Sequence, residues 1–199
     1  MTTASFATLD QVELLNLALD ASRNSNRGAA LAYLKEAVSR GDASANAHYL
    51  LGAEFAQLQM MDRAVVEMEA ALAINPALWT ARIQLGLLLF GAGKSASERA
   101  LAVLQPLNDL DADNALRYFG IGLSHLIRDE FQSAIASFIK GIDLNLSNPA
   151  LNQDVQKIVD DIGKLPQEVL NKSHDIDDLP KDASALHIFL SAYTSNRNQ

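Results

Sequence analysis

The sequence predicts an all-α fold, a solenoid of helix–turn–helix repeats closed by a C-terminal capping helix. Three observations predict it. Small residues recur with a period of 34 to 36: Gly52, Gly86 and Gly122 each follow an apolar residue (Leu51, Leu85, Ile121), and three residues later comes a larger side chain (Phe55, Leu89, His125). Within each unit the apolar positions fall at i, i+3, i+4 and i+7, the period of a helix with one buried face. The composition, 49% apolar and 20% charged, is rich in Ala and Leu and sparse in β-branched residues, which favours helix over strand. A unit of this length cannot bury its apolar face alone and must stack on copies of itself.

Taken in order, paired helices are expected at 9–22 and 27–39, 44–58 and 62–74, 77–91 and 95–107, and 113–128 and 131–144. Stop signals separate them at Gly28, Gly41-Asp42, Asn75-Pro76, Gly91 to Gly93 and Asp109 to Asp113. The second helix of each pair carries a small residue with a large one four later: Ala64 and Met68, Ala100 and Leu104, Ala134 and Phe138. Three residues further stand Ala71, Leu107 and Gly141, and Ala30, Leu34 and Ala37 continue the series one unit earlier. Gly and Ala at these places let two antiparallel helices approach closely, while the large residues fill the space beside the contact. Leu in place of Ala64 or Ala134 is expected to overpack the pair by about 1–3 kcal/mol.

After Pro149 a helix over 150–162 carries Leu151, Val155, Ile158, Val159 and Ile162 on one stripe and is placed to cover the open face of the last repeat. The organisation is thus repeats at 11–44, 45–78, 79–114 and 115–148, a capping helix at 149–163, a polar acidic linker at 164–182 and an apolar C-terminal helix at 183–195. That last segment presents Leu186, Phe189, Leu190 and Tyr193 and needs a docking surface on its own solenoid, a second copy or a partner.

The spacing resembles the tetratricopeptide repeat family, whose pattern is W-x2-L-G-x2-Y, then A-x3-F, A and P. The unit 45–78 carries His48 in the Trp place, then Leu51, Gly52, Phe55, Ala64, Met68, Ala71 and Pro76. The unit 115–148 carries Tyr118, Ile121, Gly122, His125, Ala134, Phe138 and Gly141, with Pro149 three residues late. The unit 79–114 has a two-residue insertion in GAGKSAS and Ala112 for the closing Pro, and 11–44 lacks the Gly and has Asp42 for Pro. The resemblance covers about three quarters of the chain and implies a right-handed α-α solenoid whose first helices line a concave surface. On that pattern the inner row is Leu15, Leu19, Tyr49, Ala53, Ile83, Leu87, Phe90, Phe119, Leu123, Leu126 and Ile127. Leu15 and Leu126 read equally as packing between units. The row is apolar, with Arg82 and Arg117 beside it and facing away, so a Lys/Arg/Asn clamp for an acidic C-terminus, which some members carry, is not expected. An apolar groove suits an amphipathic or extended apolar segment, and in architecture the chain looks like the acidic bacterial secretion chaperones of the family.

Composition bounds the function. A net charge of −8 and a pI near 4.9, with no Lys/Arg cluster, argue against nucleic-acid binding. There is no cysteine, hence no disulfide, thiolate metal site or thiol nucleophile. No signal-like N-terminus and no long apolar run are seen, so no membrane insertion and a cytoplasmic location are expected. Gly93-Lys94-Ser95 lacks the earlier Gly of a P-loop, having Leu88 there, and follows a helical run, so it reads as a turn. His48, His125, His174 and His187 show no i, i+4 pair for a metal, and Asp111 and Asp113 are not followed by the Gly and Glu of a calcium loop. No G-x-S-x-G occurs. The expectation is a non-enzymatic scaffold or adaptor, possible as a chaperone, without cofactor or metal, whose partner is another protein or peptide. The alternatives are a subunit that self-assembles, as a homodimer, through a swapped C-terminal helix, and a regulatory accessory protein of an enzyme or secretion complex.

Overall fold

The computed structural model describes residues 6–170, and every regular element among them is helical. The chain divides into two compact units, residues 1–88 and 89–199.

The first unit begins with a 3-10 turn, Phe6–Thr8, followed by α1 (Gln11–Arg23), α2 (Arg27–Ser39), α3 (Ala45–Gln57) and α4 (Met61–Ile74); α5 (Trp79–Gly91) carries the boundary in its last turn. Asp10 and Glu13 start α1 with a capping box, each side chain bonding the other's backbone N–H at 2.8 Å. Asn26 and Ser44 cap α2 and α3 in the same sense. The segment before α1 is tied down by Arg40, which donates to the Phe6 carbonyl at 2.8 Å and to the Leu9 carbonyl, while Phe6 packs on Tyr33 with ring centroids 5.2 Å apart. Helices α1 and α2, α3 and α4, and α2 and α3 pack pairwise. Ala18, Leu34, Leu51, Phe55, Ala56 and Ala64 form one core cluster and Leu14, Ala37 and Ala47 a second. A Cβ on Gly52 would stand 3.2 Å from the Ala64 carbonyl and from Met68, the close approach that the spacing of small residues predicts.

The second unit holds α6 (Ser97–Leu104), α7 (Ala115–Ile127), α8 (Phe131–Leu144), α9 (Pro149–Gly163) and α10 (Gln167–Leu170). The one helix expected over 95–107 is instead a 3-10 turn at Lys94–Ala96, α6, and a 3-10 turn at Gln105–Asp109. Pro106 accounts for the second turn: it lacks the N–H of a helical bond, and the chain tightens around it. Asn114 caps α7 and Asn148 caps α9, with Pro149 in the first turn. Helices α7 and α8 pack closely; a Cβ on Gly122 would fall 2.5 Å from the Phe138 ring, and one on Gly141 equally near the Phe119 ring. Helix α9 packs on α8 with Val155, Ile158 and Ile162 buried. Asn145 and Asn152 bind the junction: Asn145 Nδ2 donates to Asn152 Oδ1 at 2.7 Å, and Asn152 Nδ2 returns a bond to the Asn145 carbonyl at 2.9 Å. The stretch expected to be linker from 164 onward contains the short α10, whose Leu170 is buried. Residues 171–182 and the expected helix over 183–195, with Leu186, Phe189, Leu190 and Tyr193, lie outside the described residues.

The turns inside the helix pairs share one geometry. Ser25, Gln59 and Asp129 are left-handed, with φ of 57°, 60° and 58°. Each is followed by the six-residue bond of a Schellman motif: Asn26 to the Ala21 carbonyl, Met60 to Phe55 and Glu130 to His125, at 2.8–2.9 Å. At the corresponding place after α5 stands Gly93, with φ 104° and ψ 179°, a region that essentially only glycine enters. The two-residue insertion thus exchanges a left-handed cap for an extended glycine.

Candidate protein-interaction surface

Burial divides the inner row. In the first unit Val12 and Leu19 on α1 are exposed, at 65% and 36%, and Leu15, Tyr49, Ala53 and Leu87 are half-buried. Ile83 and Phe90 on α5 are buried. In the second unit Phe119, Leu123 and Leu126 on α7 are buried, Phe119 at 2% exposure, and Ile127 is half-buried. Phe119 lies against Gly141, so it fills the α7–α8 interface. Of the eight residues expected to line the groove, Tyr49, Ala53 and Leu87 remain accessible and five are side chains of the core.

Tyr49 is more than an apolar ledge. Its hydroxyl accepts from Gln84 Nε2 at 3.4 Å and hydrogen-bonds Thr80, joining α3 to α5. Burial pushes its pKa above the ordinary 10.0, the Thr80 bond opposing that shift. Thr80 and Gln84 lie three residues before and one residue after Ile83, and being polar they leave no mark in the apolar period. Arg82 and Arg117 turn back to the chain before their own helices: Arg82 Nη2 donates to the Pro76 carbonyl and Arg117 Nη1 to the Leu110 carbonyl, both at 2.8 Å. Arg82 also stands over the Trp79 ring, 5.7 Å from its centroid.

The histidines of the repeats act as clasps within helix pairs. His48 Nδ1 on α3 donates to Glu67 Oε2 on α4 at 2.7 Å, and His125 on α7 bonds Glu130 at the start of α8. Lys140 covers the face of Tyr118, 4.4 Å from its centroid. Gly93-Lys94-Ser95 lies in the turn between α5 and α6, and Asp111 and Asp113 are exposed before α7. Among the described residues no three His, Cys, Asp or Glu side chains come together as a metal site would require, and no helix is long and apolar enough to cross a membrane.

Helix pairs repeated at this spacing, joined by left-handed caps and packed through small residues, define an all-α repeat protein. No family model matches the chain, and no curated protein matches it. Solved structures do. A MamA fragment, residue 41 to the end, from Desulfovibrio magneticus RS-1 is 19% identical, with a TM-score of 0.58 over 95% of this chain and 96% of that one. A MamA RS-1 ArsTM double mutant is 20% identical, with a TM-score of 0.55 over 95% and 97%. At that identity the likeness shows the fold, an all-α arrangement of tetratricopeptide-like helix pairs.

Proposed function

We propose that the chain is a non-enzymatic scaffold that binds an apolar or amphipathic segment of another protein along the first helices of its repeats. The observation that carries this reading is the set of accessible apolar side chains of the first unit, Val12 and Leu19 on α1, Tyr49 and Ala53 on α3 and Leu87 on α5; Leu15 beside them packs against both core clusters. Side chains of this kind are held outward by a rigid helical frame, which suits a partner helix or extended strand that supplies apolar anchors. On this reading Ile83, Phe90, Phe119, Leu123 and Leu126 support the frame and touch a partner only where it displaces their neighbours. The apolar segment 183–195 is a natural competitor, in its own chain or in a second copy, through Leu186, Phe189, Leu190 and Tyr193.

The test uses the full chain and two surface substitutions, Leu19→Glu and Leu87→Glu. Circular dichroism should stay unchanged, while proteins cross-linked to the wild type in its source cells should be lost from both variants. Retention of every cross-linked protein by both variants rejects the strip. Light scattering of the chain with and without residues 180–199 separates the scaffold from the self-assembling subunit: a dimer that becomes a monomer on truncation favours the latter.

A further inference from the structure

We infer that the part-buried Ser22–Glu54 contact is a polar seam at which the first helix pair, α1–α2, opens from α3–α4 before the rest of the first unit unfolds. The repeat supplies its own control. Positions 20, 54 and 88 are equivalent in successive units and hold Asp20, Glu54 and Leu88. Leu88 packs against the cluster built from Leu51, Phe55 and Ala64, the apolar contact this position favours inside a stack. Glu54 is placed deeper than the half-buried Leu88, at 5% exposure, but brings a carboxyl group. Its Oε1 accepts from Ser22 Oγ at 2.5 Å, and its Oε2 is buried with no hydrogen-bond partner.

Two further features weaken the seam. Ser22 lies in the last turn of α1, so the carboxyl group sits at the helix end where the backbone carbonyls already carry partial negative charge. The adjacent cation, Arg23, is exposed and pairs with Asp20. A buried polar atom without a partner recovers its hydration once the surfaces part, so separation at this seam is easier than at one closed by leucine. Opening would uncover apolar side chains shared by α1, α2 and α3, among them Ala18, Leu34 and Leu51.

Native-state hydrogen exchange of the full chain, read by mass spectrometry, tests the seam with two substitutions of opposite sign. Glu54→Met replaces the carboxyl by an apolar chain of similar length, and amides of α1 and α2 should exchange roughly tenfold more slowly. Ser22→Ala removes the one partner the carboxyl has, and the same amides should exchange roughly tenfold faster. In both, amides of α7 and α8 should keep their wild-type rates. Equal changes in α7–α8, or no acceleration in α1–α2 with Ser22→Ala, overturn the inference. If Glu54→Met does not fold, Ser22→Ala decides alone.

Discussion

The pairs α3–α4 and α7–α8 are built on one template and filled differently. In α3–α4 the glycine, Gly52, faces the Ala64 carbonyl and Met68, with 3.2 Å available to an added Cβ. In α7–α8 the glycine, Gly122, faces the Phe138 ring at 2.5 Å, and Gly141 answers from the other helix by admitting Phe119. Methionine is unbranched and rearranges cheaply, whereas a buried phenyl ring cannot yield without moving its neighbours. The same spacing of small residues therefore gives one tolerant interface and one rigid one.

The largest effect should come from the rigid interface. Gly122→Ala places a methyl inside the Phe138 contact distance and should cost about 2 kcal/mol, within the range for overpacking a core. Urea unfolding followed by circular dichroism measures it. Adding Phe138→Met to that variant should return part of the loss by giving the interface the filler that α3–α4 uses. If the double variant is less stable than the sum of its single changes, the ring is not the obstacle.

Next comes the turn that departs from the template. Gly93 adopts φ 104° and ψ 179°, so Gly93→Ala should destabilise by about 1 kcal/mol through backbone strain, although a Cβ there would meet nothing within 4 Å. At the equivalent turn after α3 the change runs the other way. Gln59 holds a left-handed conformation, and Gln59→Gly should stabilise by up to about 1 kcal/mol as that strain is removed. A thermal melt that shifts both variants in the same direction would break the comparison.

Gly52→Ala is the small member of the series. The helix gains about 1 kcal/mol of propensity from alanine over glycine. Met68 must give by a few tenths of an ångström, and the Ala64 carbonyl is as close. The two effects should nearly cancel, leaving the midpoint within the ordinary scatter of surface substitutions. A loss as large as that of Gly122→Ala would show that the carbonyl, not the methionine, sets the limit.

The fold was legible because its repeat is carried by residues whose smallness has one explanation. Gly52, Gly122, Gly141, Ala64 and Ala134 are all buried, as the close approach of two helices requires. The left-handed turns were not legible, since Ser25, Gln59 and Asp129 do not signal a positive φ as glycine does. The 3-10 turn after α6 was written in Pro106, which outweighs the apolar period that suggested a continuous helix. The candidate surface was legible only in part. A helix such as α7, with apolar residues around much of its circumference, gives no sequence signal separating the side that meets α8 from the open side. Hence Phe119, Leu123 and Leu126 read like Leu87 but are buried. In α1 and α3 polar residues such as Asn16 and Asn46 interrupt the apolar pattern and narrow the choice of face.

Tyr49 offers the finest test, because it belongs to the candidate surface and to the packing of the first unit at once. Burial raises its pKa above 10.0, so the folded chain holds the phenol proton more tightly than the unfolded chain does. The stability this contributes is complete below pH 10 and is lost as pH rises from there through the raised folded-state value. Tyr49→Phe has no proton to lose. The difference in unfolding free energy between wild type and Tyr49→Phe should therefore be constant up to about pH 9 and then shift against the wild type as its phenol ionises. The constant part reports the hydroxyl bonds to Thr80 and Gln84, and the alkaline part reports burial less the opposing Thr80 bond. A difference that stays flat through pH 11 would mean that the phenol ionises as readily in the folded chain as in the unfolded one, and Tyr49 would then be no buried anchor of the strip.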